Sequence, residues 1–363
     1  MFRNILFTIL LLAIQPAFAA SVVFINPGHA DEAYWQAASR SMQEAAKSLD
    51  MQLEVLYAER DHTRALTLIR TIVARPAAGQ PDYLIITNDY GTAPEMLRLI
   101  SPTGIPTLLA FSGIHGEDRV ASGAPRSKFP FWLGSIEPDA KHAGVLTVNA
   151  LIDKARKAPG AFGTDGKLHV IAIAGDRSTP SSTARTEGMM HAVKNAPDVV
   201  LEQVVYGDWK RDKAAEQASW LYARYPQARL VWAGSDQMAF GAMDAWRKRG
   251  GKPGIDAFFS GINTSPEAMT AMLSGELGAL AGGHFMCGAW AMVMLHDHAK
   301  GRDFRDEGLE LRFPMFILFD PSRIERFRNM MLTGLPASQF RAYSKARNPH
   351  RKKYDFNLED LLH

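Results

Sequence analysis

The strongest constraint in this sequence is a strict alternation of short apolar runs with segments of helical periodicity. Ser21-Val-Val-Phe-Ile-Asn26 is an apolar run of high β propensity, stopped by Pro27-Gly28. Trp35, Ala38, Met42, Ala45, Ala46 and Leu49 then recur at the three-and-four spacing of one helix face. The cycle continues with a strand at 53–57 and a helix capped by Asp61, whose buried stripe is Ala65, Leu68, Ile69, Ile72 and Val73. A strand at 83–87, a helix carrying Met96, Leu97 and Ile100, and a strand at 105–111 follow. Strands that are apolar throughout and joined by helices call for a parallel sheet covered on both faces.

The pattern then repeats. A short strand at 131–134 is the natural place for the chain to change lobes, and further strands are expected at 168–174, 199–206, 230–233 and 257–261. Helices at 182–195, 211–225 and 237–249 lie between them. Each series is about one α/β domain in size, in keeping with a 363-residue chain at roughly 150 residues per domain. The expected fold class is therefore α/β, with two doubly wound parallel-sheet lobes. No repeat of 20–50 residues is visible, which excludes solenoids and propellers.

At 47% hydrophobic and 22% charged, the composition excludes a disordered or fibrous chain. A lone Cys287 permits no intrachain disulfide and no cysteine zinc cluster, and a net charge of +3 is too small to argue for a nucleic-acid partner. Arg3, the apolar run Ile5–Ile14, Pro16 and the A-x-A site Ala17-Phe18-Ala19 predict a signal peptide over 1–20 and a periplasmic mature chain. That run rises about 15 Å as a helix, short of the ~30 Å hydrocarbon core. At the other end, Arg341, Lys345, Arg347, Arg351, Lys352 and Lys353 stand with no acid among them, so 341–363 is expected to be a basic tail lying loosely on a lobe.

In open α/β sheets ligands bind beyond the carboxyl ends of the strands. That rule selects Asp31, Tyr34 and Trp35, then Asp89, then Phe111 and Ser112 in the first series. In the second it selects Asp176 and Arg177 with Arg185, then Trp209, Asp236, Asn263 and His284. Carboxylates and amides that pair with neighbouring hydroxyls, with aromatic faces for C–H surfaces, are the mixture a polyol needs. Each residue also has a structural reading. Asp236 could be an N-cap, Trp35 a core residue of its helix, and Asn263 a turn former. His296-Asp297-His298 lies on a helix where neighbours two apart diverge, and Cys287 sits in an apolar setting, so neither suggests a metal or a nucleophile.

The segments VVFINPGHADEAYWQAASRSMQEAAKSLD, AGDRSTPSSTARTEGM and WAGSDQMAFGAMDAW, in this order, resemble the type I periplasmic binding proteins of the ribose- and galactose-binding kind from Ser21 to about Phe340. Within that family the run from Pro27 to Trp35 resembles the LuxP-type receptors, although His29, Ala30 and Glu32 replace the Gln and Ser side chains with which those receptors hold their ligand. The resemblance implies a hinge between an N-terminal lobe of 21–133 with 285–313 and a C-terminal lobe of 134–284 with 314–340. It also implies that Trp35 and Trp209 stack on the ligand, that Phe111 or Ser112 forms the floor, that Arg185 donates and that Asp236 accepts. Asn263 falls at a hinge strand, and His284 or Gly283 where the family places a hinge Gln or Arg.

The expected function is a non-enzymatic, monomeric periplasmic binder of a small sugar-like ligand, without cofactor or metal, presenting it to an inner-membrane ABC-type permease. A ligand-sensing receptor for a membrane kinase or cyclase is the alternative. An exported glycoside hydrolase is a third reading, and nothing in the sequence selects its carboxylate pair.

Overall fold

The structure, a computed structural model, describes residues 19–335 and 337–362; the leader expected at 1–20 lies outside the described residues apart from Ala19 and Ala20. The strands are β1 (Ser21–Asn26), β2 (Gln52–Tyr57), β3 (Tyr83–Ile86), β4 (Thr107–Ala110), β5 (Trp132–Pro138), β6 (Leu168–Ala174), β7 (Val199–Tyr206), β8 (Leu230–Ala233), β9 (Phe258–Ile262), β10 (Ala279–Gly282), β11 (Glu310–Phe313) and β12 (Ile317–Leu318). They form two six-stranded sheets, ordered β11-β5-β4-β3-β1-β2 and β12-β10-β9-β8-β6-β7. All pairings are parallel except the short β12, which runs antiparallel to β10.

Burial explains the apolar runs. In β1, Val23 and Ile25 join Leu84, Ile86 and Leu109 under α2 (His62–Val73) and α3 (Ala93–Ile100). Val22 and Phe24 point to the other face with Ile85 and Leu108, under α1 (Ala33–Ser48) and α10 (Cys287–Ala299). The second sheet is covered the same way by α5 (Ala140–Arg156) and α6 (Pro180–Lys194) on one face, and by α7 (Arg211–Arg224) and α8 (Asp236–Lys248) on the other. The edge strands β2 and β7 are only partly buried. Asp61 caps α2 as expected, accepting from the Thr63 and Arg64 amides.

Two glycines set the spacing of α5 and α6. A Cβ on Gly144 would lie 1.9 Å from the Arg185 carbonyl oxygen, and one on Gly188 would lie 1.9 Å from that of Lys141. The helices therefore touch backbone to backbone at the turn of α6 that bears Arg185.

The lobe boundary differs from the expected one. β5 continues through Ser135-Ile136-Glu137-Pro138 and pairs with β4 and β11, so all of it belongs to the first sheet. The chain therefore leaves the first lobe after Pro138 rather than after Leu133, because Ser135 and Glu137 are buried strand residues and β5 runs on through the irregularity at Gly134 to Pro138. It returns through Gly283–Met286 into α10, and crosses again between β11 and β12. After α11 (Pro321–Thr333), which packs against α9 (Pro266–Ser274), it crosses once more into α12 (Ala337–Tyr343), which packs on α1 and α10.

The basic tail is not loosely attached. Ser344, Lys345, Tyr354, Phe356, Leu358 and Leu362 are buried. The Asp297 carboxylate accepts from the Ser344 hydroxyl, the Lys345 and Ala346 amides and the Tyr354 hydroxyl. Phe356 stacks on Trp290 at 5.3 Å. The apolar residues interleaved with the cations are what a reading of charge alone overlooks.

Candidate functional site

One inter-lobe cavity collects side chains from nearly every strand end. From the first lobe come Glu32, Tyr34 and Trp35 after β1, Arg60 after β2, Asp89 after β3 and Phe111 after β4, with Pro138 at the crossing. The second lobe supplies Ser181 and Arg185 after β6, Trp209 after β7, Ser235 and Gln237 after β8, Asn263 after β9 and His284 after β10. The inner cavity has a volume of about 60 Å³, room for a few waters at ~10–15 Å³ each.

Arg185 is the centre of the second lobe's half. Its Nη1 donates to the Gly234 carbonyl at 2.7 Å and its Nη2 to His284 Nε2 at 2.9 Å, while its buried Nε has no partner. The guanidinium lies 5.6 Å from the Trp209 ring and 5.6 Å from that of Phe316. Burial pulls its pKa down to about 10, against the opposing pull of Tyr34, Asp236 and Asp89.

His284 is sandwiched between Tyr34, at 4.7 Å, and Phe316, at 4.4 Å. Arginine has only donors, so His284 Nε2 must be the acceptor and Nδ1 must carry the proton. That Nδ1 is buried without a partner. Burial, and then the Arg185 charge, hold the imidazole pKa well below its usual value, so the ring is neutral.

On the first lobe, Asp89 is 6% exposed and lines the same cavity. Burial pushes its pKa up to about 7; Arg60 and Arg185 work against this, while Asp176 and Glu32 reinforce it. Arg60 is held by Glu32 through Nε at 3.0 Å and a second contact from Nη2. Trp35 packs edge-on against Phe111 at 5.2 Å, with a buried Nε1 lacking a partner. Its ring also covers Gly28, whose missing side chain lets the loop after β1 pass beneath it.

The remaining expected residues separate into three groups. Trp209 lines the cavity and is fixed by an Nε1 bond of 2.6 Å to Asp176, itself held below the usual carboxylate range: burial raises it, but bonds from Thr179, Ser178 and Trp209 outweigh this. Asp236 and Asp31 lie in the wider mouth rather than the inner cavity, Asp31 exposed and Asp236 buried. Asp236 is not the N-cap of α8: Ser235 is, accepting from the Met238 amide at 3.3 Å. Asp236 instead accepts from Asn263 Nδ2 at 3.0 Å and the Ser265 amide at 3.3 Å, which fixes Asn263, and burial raises its pKa despite these bonds. Phe111 lines the cavity, while Ser112 is buried behind it with an unpartnered hydroxyl and does not line it.

Sequence reasoning missed Arg60, Gln237, Ser181 and Pro138 as lining residues. Arg60 follows the end of β2, so the strand-end rule, applied to that strand as well, would have reached it. The other singled-out groups have structural partners. Cys287 Sγ accepts from the Phe111 amide and donates to the Ile136 carbonyl, and burial pushes its thiol pKa up. His296 bonds Asp297 while His298 turns away to Tyr83.

Residues 22–303 match the family model described as a periplasmic binding protein domain. A periplasmic sugar-binding protein from Pseudomonas fluorescens is similar in structure over 95% of this chain and 100% of that one, at 35% identity and a TM-score of 0.83. An ABC transporter periplasmic solute-binding protein from Actinobacillus succinogenes 130z, solved with D-allose, covers 84% of this chain and 99% of its own at 17% identity and a TM-score of 0.71. The galactofuranose-binding protein YtfQ of Escherichia coli (strain K12) is 23% identical over 253 residues, 68% of this chain and 73% of that protein. With the family model spanning most of the sequence and two hinged α/β lobes facing one cleft, the chain belongs to the type I periplasmic binding proteins.

Proposed function

We propose that this protein captures a small, neutral, hydroxyl-rich ligand, a sugar or cyclitol, between its lobes in the periplasm and presents the closed form to an ABC-type permease. The observation that carries the reading is a convergence of unpartnered polar groups. Among the described residues Arg185 Nε, His284 Nδ1 and Trp35 Nε1 are buried donors without acceptors, and the largely buried Asp89 carboxylate lines the same cavity. Buried polar groups are normally satisfied, and a ligand hydroxyl both donates and accepts, so a polyol can answer both kinds. Tyr34, Trp35, Phe111 and Trp209 supply flat apolar surface for the C–H faces of a ring. The names of similar proteins support the same class: D-allose and galactofuranose, noted above, and a putative rhizopine-binding protein of Rhizobium meliloti.

Closure is the mechanism. A ligand that meets Asp89 on one lobe and Arg185 on the other binds the closed arrangement more tightly than either half-site, and that difference in affinity shifts the lobes together. Titration calorimetry of the mature protein against D-allose, L-arabinose, D-galactose, xylitol and myo-inositol tests the reading. One saturable site without product formation is expected for at least one of them. Turnover of a glycoside, or uptake of none of these by a folded protein, would refute it.

A further inference from the structure

The last turn of the fold reaches the hinge from outside the cleft. Between Gly282 and His284 the chain passes through Gly283 at φ +110°, a conformation glycine adopts freely. The Leu358 side chain packs directly against this glycine: a Cβ on Gly283 would lie 2.3 Å from Leu358 Cδ2. Leu358 is fully buried, and two residues before it Phe356 stacks on Trp290 of α10 and meets Phe313, at the end of β11, at 5.1 Å. The C-terminal segment therefore touches two of the inter-lobe crossings, the one at Gly283 and the one that begins at Phe313.

Its anchorage is unequal. On the first lobe it is held by the buried Asp297 network, by Lys345 and the Tyr354 amide on Glu307, by Arg341 on the Ser48 carbonyl and by Arg347 on Asp50. On the second lobe its ion pair is Glu359 with Arg323 of α11, at 2.8 Å and partly exposed. A segment fixed to one lobe, laid across the hinge and clipped weakly to the other must deform or unclip when the lobes part. The residue it presses on immediately precedes His284, the acceptor for Arg185.

We propose that residues 337–362 form a positioning strap: Leu358 holds Gly283, and so sets His284 against Arg185, while the Glu359–Arg323 pair biases the lobes toward closure. The inference rests on the hinge-closure reading above but is tested without ligand.

Spin labels on cysteines replacing exposed His62 and Asp212, with buried Cys287 left in place, report the inter-lobe distance by pulsed dipolar spectroscopy. Glu359→Gln, a change at a partly exposed pair, is expected to lower the closed fraction by about threefold, the range of a surface ion pair. Leu358→Ala is expected to broaden and lengthen the distribution further, and Leu358→Ile, which refills the space, to restore it. A purely structural role would lower the melting temperature of these variants and leave the distance distribution of the folded protein unchanged, and that result overturns the proposal. If wild-type protein takes up no sugar of the panel, the sugar reading fails, whereas these ligand-free distances still decide the strap.

Discussion

The raised pKa of Asp89 predicts that closure of the cleft depends on pH. The carboxyl is buried between the lobes with a pKa of about 7, against ~3.9 when solvated. Opening the cleft hydrates it. A group whose pKa is raised in the closed form favours that form fully below the open-state value, and the advantage is lost as pH rises through the closed-state value. Between pH 5 and pH 8.5 the closed-to-open ratio should fall by about a hundredfold on this account, about 2.7 kcal/mol at ~1.36 kcal/mol per unit. His284 acts with the opposite sign, because its pKa is depressed in the closed form and closure is disfavoured as pH falls through its solvated value near 6.5. The neighbouring charges Arg60, Arg185, Asp176 and Glu32 are common to both comparisons. The clean readout is thus wild type against Asp89→Asn. Small-angle scattering of ligand-free protein should show the variant more closed at pH 8.5 and indistinguishable from wild type near pH 4. Equal pH dependence in the two proteins would refute the reasoning, since Asp89 would then not change its surroundings on closure.

Three further outcomes follow from the packing. Asp236→Ala removes the acceptor that fixes Asn263, and calorimetry should show affinity for the sugar weakened by roughly 1.5–3 kcal/mol, the worth of a charge-assisted hydrogen bond. Gly144→Ala forces α5 away from the Arg185 carbonyl; it should cost about 1–3 kcal/mol in denaturant unfolding and weaken binding as well, because Arg185 moves with its helix. At Asp297, burial raises the pKa, but bonds from His296, Ser344 and the Lys345 and Ala346 amides outweigh it and leave the carboxyl below its usual range. That stability is present above ~3.9 and lost as pH falls through the lower folded value, so Asp297→Asn should flatten the acid limb of the unfolding profile.

Much of this architecture was visible in one dimension because the central strands are buried on both faces. Val22, Val23, Phe24 and Ile25 all need apolar side chains, and a run of them is unmistakable. β5 was harder to bound, since Ser135 and Glu137 are buried polar residues serving partners elsewhere: Glu137 accepts from the Gly113 amide and His115. At the site, the strand-end rule found Trp35, Asp89, Phe111, Arg185, Trp209, Asn263 and His284, all of which line the inner cavity. It could not tell Asp236 and Asp31 in the mouth from residues inside it, nor foresee that Ser112 turns behind Phe111, because those outcomes depend on side-chain direction within a loop. The tail deceived for a different reason. Its cations are mostly solvent-facing, while Tyr354, Phe356 and Leu358 carry the packing at the alternation of a strand in a segment that pairs with no sheet.

The placement of β11, α12 and the Asp297 network bears on the order in which the molecule can assemble. One edge strand of the first sheet and the covering of α1 and α10 are drawn from residues 310–313 and 337–362, after all of the second lobe but β12 and α11, and for the covering after those as well, has been written into the chain. A nascent or translocating polypeptide lacking those residues cannot complete the half it began with, so the first lobe is the last to be finished.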